Sequence, residues 1–422
     1  MDMPTLNELT ANQAEVLALS FDENWLITGP PGTGKSVIAM MRLTRMLRAK
    51  GILTNDGNKV SESDEARLIV YNRVLSNYIR NCLNELEVAD EFATTYHSYF
   101  RNYWKRHLAS SSSDELPLLD PNEFGSYDWG EFSERFNQRG RFFKIARYFI
   151  IDEGQDLPPE LYELVYGMCD HLTIFADENQ SIKTNQKSKI SDIAEEIMVD
   201  SYYYLTENFR NSRPIAKLAR EFFPGNERHL PELPEREGDT PEIKLFANFE
   251  GNIEAIVKHS KTFGGRTGVF LPRANWAPVW AQKLKEKINE EGLEETAVYS
   301  YKSDMNWREK NAITFREKNA IYVMHYSNAK GLEFDTVYIA EMQDRQMPKL
   351  DDPMGKHWFY VLVSRACSRL IFCYSGQGKP SQIQEIERML NKLDDDDGLA
   401  GVREPRKPSP ISGGKHALLE IE

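Results

Sequence analysis

Apolar residues in this chain gather in short runs rich in Val, Ile, Phe and Tyr, spaced by longer polar or mixed stretches. Runs of this length bounded by turn residues read as buried strands. A first series falls at 25–28, 67–71, 148–151, 172–176 and 202–205, and a second at 243–246, 267–271, 321–325, 336–340 and 370–374. Between most of them the apolar positions recur at helical spacing, as at 36–50 and 277–290. Strand–helix alternation predicts parallel sheets covered on both faces, an α/β fold.

Two series of strands predict two lobes. The break is expected near 211–240, where Pro214, Pro224, Pro231, Pro234 and Gly238 cluster. The expected organisation is a first lobe over 1–212, a second over 213–390 and a flexible tail over 391–422, rich in Asp, Pro, Gly and Ser. A small insertion at about 105–145 begins with a serine run and acidic residues and reads as exposed. No internal repeat of fixed period is present.

Composition narrows the class. The 422 residues are 41% apolar and 28% charged, which is globular and long enough for more than one core. No apolar run is long enough to span a bilayer, so no membrane role is expected. Residues 1–10 lack the basic start and apolar centre of a secretory signal. Cys82, Cys169, Cys367 and Cys373 form no paired motif and sit in or beside apolar stretches, as buried thiols in a reducing cytoplasm would. The net charge of -13 excludes a protein coated in basic residues, but not a narrow basic track on an acidic body.

The sharpest chemical signal is Gly29-Pro30-Pro31-Gly32-Thr33-Gly34-Lys35-Ser36, between an apolar run and a helical stretch. That setting is the one a phosphate-cradling loop needs. Glycines let backbone N–H groups turn toward phosphate oxygens, and the helix start adds its positive end. Lys35 would bridge the terminal phosphates, and the Ser36 hydroxyl would hold a magnesium ion. A second signal is the strand 148–151 ending in Asp152 and Glu153. Carboxyl ends of parallel strands are where such sheets place ligands. Asp152 suits the magnesium shell and Glu153 the activation of a water.

With Gly154, Gln155 and Asp156, this segment resembles the Asp-Glu-x-Gln-Asp signature of UvrD/Rep-like superfamily 1 DNA helicases. Other segments resemble that family's motifs in the family's order. The resemblance implies two tandem RecA-like lobes with ATP and Mg2+ in the cleft between them. It implies an adenine-reading Gln13, Gln180 sensing the terminal phosphate, and Arg210 and Arg365 contacting it. It implies Gly331 and Glu333 at the ribose end, and a single-strand path lined by Asn72, Thr95, His97, Tyr99 and Asn328. The implied activity is an ATP-driven translocase or helicase on single-stranded DNA or its junctions with duplex, 3′-to-5′.

Two departures qualify the likeness. Where the family continues with a base-stacking Trp after Gln180-Ser181-Ile182, this chain has Lys183-Thr184-Asn185-Gln186-Lys187. Lys183 and Lys187 read either as phosphate contacts or as solvated lysines. The chain also lacks room for the family's large accessory domains, so a compact motor with a partner protein, such as a nuclease, is expected, in DNA repair or phage defence. The competing expectation is an ATP-gated nucleic-acid sensor that controls such a nuclease. Tyr96, Tyr99, Phe100, Tyr103 and Trp104, interleaved with Arg101, Lys105 and Arg106, read either as a nucleic-acid track or as one packed helix face. Trp276 and Trp280, one helical turn apart, read as core.

Overall fold

The computed structural model describes residues 5, 8–53, 66–71, 73–111, 114–119, 127–138, 146–177, 179, 188–199, 201–225, 230–293, 295–302, 305, 309, 313, 315, 317–376, 378–399 and 415–417. Asn72, Gln180, Lys183 and Lys187 lie outside them. The chain divides into two compact units: Met1–Gly29, Gly34–Leu205 and Ser412–Glu422 form the first, and Pro30–Thr33 with Thr206–Ile411 the second.

Six strands of the first unit run parallel: β1 (Trp25–Thr28), β2 (Ala66–Val70), β3 (Ala93–Thr95), β4 (Ala146–Asp152), β5 (Cys169–Ala176) and β6 (Ser201–Tyr204). Their order across the sheet is β6-β1-β5-β4-β2-β3. Alternate residues point to opposite faces of a strand, and both faces here are apolar. Phe149 and Ile151 of β4 join one core with Leu26, Ile69 and Ile174. Tyr148 and Ile150 join the other with Ile27, Leu68, Val70 and Phe175. The second face is covered by α1 (Ala11–Ala18), α2 (Lys35–Ala49) and α3 (Arg73–Glu85). The first is covered by α4 (Tyr96–Tyr103), α5 (Trp129–Gln138), α6 (Pro159–Met168) and α7 (Ile190–Glu196).

The segment expected as an exposed insertion is exposed at Ser110, Ser111, Glu115 and Leu119, but the aromatic residues on either side of it are core. Helix α4 continues into a π-helical turn, Trp104–Leu108. Tyr127, Trp129, Phe132 and Phe136 are buried beside Phe100 and Trp104, with Phe100–Trp129 and Trp104–Phe132 ring centroids 5.1 and 4.9 Å apart. Aromatic burial outweighs the acidic character of the linking residues.

The second unit holds β7 (Glu242–Phe246), β8 (Arg266–Leu271), β9 (Ala297–Tyr301), β10 (Ala320–His325), β11 (Phe334–Ile339) and β12 (Ala366–Ser375), all parallel, in the order β7-β12-β11-β8-β10-β9. On one face α9 (Phe249–Phe263) and α10 (Trp276–Glu290) pack Ile256, Val257 and Leu284 onto Val269, Val323 and Ile371. Trp280 is buried there and Trp276 packs against the same core. Three more helices belong to this unit: α8 (Arg213–Glu221), α11 (Pro353–Val363) and α12 (Ser381–Leu399). Phe222, just past α8, meets Phe359 of α11 at 5.6 Å.

The expected flexible tail needs correction. Residues 391–399 continue α12, which buries Ile383, Ile386 and Leu390. Lys415–Ala417 forms β13, antiparallel to β6 in the first sheet. Among the described residues no helix is long and apolar enough to cross a membrane.

Candidate nucleotide site

The phosphate-type loop leaves β1 and enters α2. Gly32 and Gly34 have φ of +85° and +83°, a region that L residues with side chains avoid. A Cβ on Gly34 would lie 2.7 Å from Nε2 of Gln13, and one on Gly32 would lie 2.3 Å from Oδ1 of Asn208. Both glycines are therefore required by conformation and by space. In the loop crest, Thr33 Oγ1 donates to Pro30 O at 3.0 Å, and Phe209 N–H donates to Gly32 O at 2.9 Å. Gln13 is held by a reciprocal cap: its Oε1 accepts from Thr10 N–H and its own N–H donates to Thr10 Oγ1.

Lys35 is buried, and its ammonium donates to Gly29 O at 2.5 Å and lies 3.7 Å from Asp177 Oδ2. At the end of β4, Asp152 is 1% exposed. Burial first, and then the charge of Glu153, push its carboxyl up to about 7, with Ser36 and Lys35 pulling the other way. Asp152 Oδ1 accepts from Glu153 N–H, while Oδ2 is buried with no hydrogen-bond partner among the described residues. An orphaned hard oxygen beside a serine hydroxyl fits a magnesium ion, which takes few protein ligands and keeps water. Among the described residues no cluster of three His, Cys, Asp or Glu offers a fuller metal cage.

Glu153 turns the chain through φ +57°, a strained region for a side-chain-bearing residue. Its Oε2 accepts from Nε2 of Gln155 at 2.5 Å, and Gln155 Oε1 accepts from Asp177 N–H at 2.8 Å. Gln155 is fully buried. A continuous polar path thus runs from Lys35 through Asp177 and Gln155 to Glu153. Gly154 is fixed by crowding, since a Cβ there would lie 2.6 Å from Ile174 and 2.9 Å from the Tyr162 hydroxyl. The sequence reading placed Gln155 and Asp177 in motifs but gave them no role, and Tyr162 was missed. The signal for Gln155 was its amide beside a carboxylate, because only an amide both donates and accepts.

In the second unit, Arg210 Nε donates to Glu333 Oε2 at 2.9 Å, both largely buried. The two residues assigned to phosphate and ribose therefore hold each other. Arg365 is 1% exposed. Its Nε donates to Val361 O at 2.9 Å, Nη1 to Leu332 O at 3.3 Å and Nη2 to Ser364 Oγ at 2.9 Å. Asn211 Nδ2 donates to the carbonyls of Ser364 and Ala366, which flank Arg365. Asn208 Nδ2 donates to Asn211 Oδ1 in turn, so the loops carrying the two arginines are stitched together. Gly331 takes φ +79° in the turn before β11.

Comparison with known families follows the same division. The family described as UvrD-like helicase C-terminal domain matches residues 280–377, and the family described as AAA domain matches residues 13–186. The two domains together are those of a UvrD-like superfamily 1 helicase. It is thereby an enzyme of the helicase and ATPase class. No curated protein matches this helicase. Solved structures with partial likeness include the C-terminal domain of a possible DNA helicase from Lactobacillus plantarum WCFS1, at 17% identity, covering 41% of this chain and 92% of that one, TM-score 0.28. The arterivirus nonstructural protein 10 helicase is 14% identical over 90% of this chain and 65% of its own, TM-score 0.36. Its complex with DNA is 12% identical over 92% and 67%, TM-score 0.36. At these scores the likeness adds nothing to the family assignment.

Of the residues expected along the helicase's single-strand path, Thr95, His97 and Tyr99 fall at the start of α4. Thr95 is buried as the cap of α4, its Oγ1 accepting from Ser98 N–H at 3.2 Å. His97 is half-buried against Tyr96 and Tyr127, and Tyr99 packs its ring on Phe149 and Tyr103. Tyr96, Phe100, Tyr103 and Trp104 are core, which settles their role as packing and removes them as base platforms. Asn328, half-buried, ends the short 3-10 turn after β10.

Proposed function

We propose that this helicase is a single-stranded-DNA-stimulated, magnesium-dependent ATPase that translocates along the strand 3′-to-5′. The observation carrying the proposal is the buried path from Lys35 to Glu153. It sets a phosphate-seeking cation and a water-activating carboxylate in one rigid frame at the carboxyl end of the first sheet. The loop from Gly29 to Ser36 would bind the phosphates of ATP through backbone N–H groups, with Lys35 exchanging Gly29 O for phosphate oxygens. Ser36 and Asp152 would hold magnesium, which supplies charge neutralisation at the phosphate oxygens. Glu153, oriented by Gln155, would take a proton from the attacking water. Gln13 would face the adenine, and Gly331 and Glu333 the ribose. Gln180, Arg210 and Arg365 are proposed to act on the terminal phosphate, the two arginines after release from their present acceptors.

Polarity, DNA over RNA, and the single-strand roles of Asn72, Thr95, His97, Tyr99 and Asn328 rest on family resemblance. So does a protein partner such as a nuclease, in cytoplasmic DNA repair or phage defence. The internal pairing of Arg210 and Arg365 favours a second reading, an ATP-gated regulator whose arginines engage only on a signal. One experiment separates the two. ATP turnover is measured with and without a single-stranded oligonucleotide, followed by displacement of a short annealed strand. Stimulated turnover with displacement supports the translocase, stimulated turnover without displacement supports the regulator, and no turnover under either condition rejects both.

A further inference from the structure

Helix α4 and its π-helical continuation present two unlike faces. Phe100, Tyr103, Trp104 and Leu108 are buried, whereas Arg101, Asn102, Lys105 and Arg106 are exposed. A π-turn carries more residues per turn than an α-helix. It therefore brings Arg106 round toward Arg101 and Lys105, which already neighbour each other at i,i+4 spacing. The buried rings hold this ridge rigidly: Trp104 contacts Phe132 at 4.9 Å, and Arg135 lies over the Trp104 ring at 4.5 Å.

The charge on the ridge is not neutralised. The side chains of Arg101, Lys105 and Arg106 make no hydrogen bond or ion pair with any described residue. Their neighbour Arg135 shows the contrast, paired with Asp114 and with Glu131 at 2.6 Å. On a chain of net charge -13, three unopposed cations on a rigid ridge are a local exception. Such a ridge complements a polyanion, and a flexible single strand presents phosphates at a spacing that long basic side chains can meet without reading bases.

We propose that Arg101, Lys105 and Arg106 form a phosphate-contact ridge for single-stranded nucleic acid on the first unit. The inference rests on the helicase reading and adds a surface outside its motifs. The ridge contributes attraction without sequence preference, so its removal lowers affinity uniformly across strand sequences.

The test uses the full chain carrying Arg101→Ala, Lys105→Ala and Arg106→Ala together, with a fluorescent single-stranded oligonucleotide titrated over a range of salt concentrations. Loss of three contacts lowers the slope of log affinity against log salt by about 2, at about 0.7 per phosphate on a single strand. Affinity at low salt falls by about tenfold or more, while ATP turnover without nucleic acid and the melting temperature stay at the wild-type values. A variant with Arg101→Lys and Arg106→Lys keeps the wild-type slope. Equal affinity and slope in the alanine variant overturn the proposal, and leave an acidic protein as the ridge's remaining partner class. A wild-type chain that binds no single strand overturns the helicase reading and the ridge together.

Discussion

The two units hold their candidate site residues in opposite ways. In the first, the groups at the end of β4 leave valences open: Asp152 Oδ2 has no hydrogen-bond partner among the described residues, and Glu153 sits on a strained backbone. In the second, Arg210 is matched by Glu333, and Arg365 donates to two carbonyls and a hydroxyl of its own unit. Buried polar atoms without partners are costly, so a fold keeps them where a ligand completes them. Buried cations that already donate to acceptors in their own unit are held where they are. The first unit is built to receive something, and the second, in this conformation, holds its chemistry closed.

The sharpest way to break that contrast is to remove the closed cation. Arg365→Ala should lower ATP turnover by about a thousandfold or more if the guanidinium reaches the phosphate during the cycle. The change also takes the Arg365 donor from Leu332 O, at a cost of about 1–3 kcal/mol for a buried group left unmatched, while Val361 O and Ser364 Oγ keep the bond between them. Steady-state turnover and thermal melting measured on one preparation separate the two effects. A lower melting temperature with near-wild-type turnover would make Arg365 a clasp for the second unit and nothing more. Glu153→Gln is the companion change in the open unit, with turnover reduced about 10²–10⁴-fold and ATP binding retained.

Much of this contrast could be read from sequence, and the remainder could not for definable reasons. Ten of the strands were visible because each carries a run of β-forming apolar residues. Strands β3 and β9 were not: β3 is only Ala93–Thr95, and β9, at the sheet edge, is half-exposed along Ala297, Tyr299 and Ser300. The residues between 105 and 145 looked solvated because their carboxylates are adjacent in sequence, while Tyr127, Trp129 and Phe132 find their partners in α4 only after folding. Motif spacing located Lys35, Asp152 and Glu153. It could not reveal that Arg365 is turned onto Val361 O, because that depends on how α11 ends. Nor could it show Asn211 bridging to the carbonyls beside Arg365, because the two lie 153 and 155 residues from those acceptors.

A middle-sized effect sharpens the picture of the open unit. Gln155→Leu keeps the bulk of the side chain but deletes both the donor to Glu153 and the acceptor for Asp177 N–H. Turnover should fall by about tenfold to a hundredfold, the scale of a misaligned catalytic group. The KM for ATP should change little, because Lys35 and the loop remain. Combining Gln155→Leu with Glu153→Gln tests the link, since residues acting as one unit are far from additive. Additive losses in the double variant would mean that Gln155 only packs the core.

The smallest effect concerns the closed unit, where burial can be read through acidity. His259 on α9 lies 3.0 Å from Thr336 Oγ1 and packs on Phe263 and Tyr338. Burial first, and then the positive charges of Arg369 and Lys244, hold its pKa down to about 4 against an ordinary value of 6.5. Between these values the unfolded chain binds a proton that the folded chain refuses. Stability from this residue is therefore unaffected above about pH 6.5 and is lost as pH falls toward 4. Amide hydrogen exchange along α9 should quicken between pH 6.5 and 4.5, after correction for the intrinsic rate, relative to exchange along β4. His259→Gln removes the titrating ring and should flatten that difference. If α9 and β4 keep a constant ratio in the wild-type chain across this range, the ring is not held neutral by the fold. The second unit's closure would then rest on its arginine contacts alone.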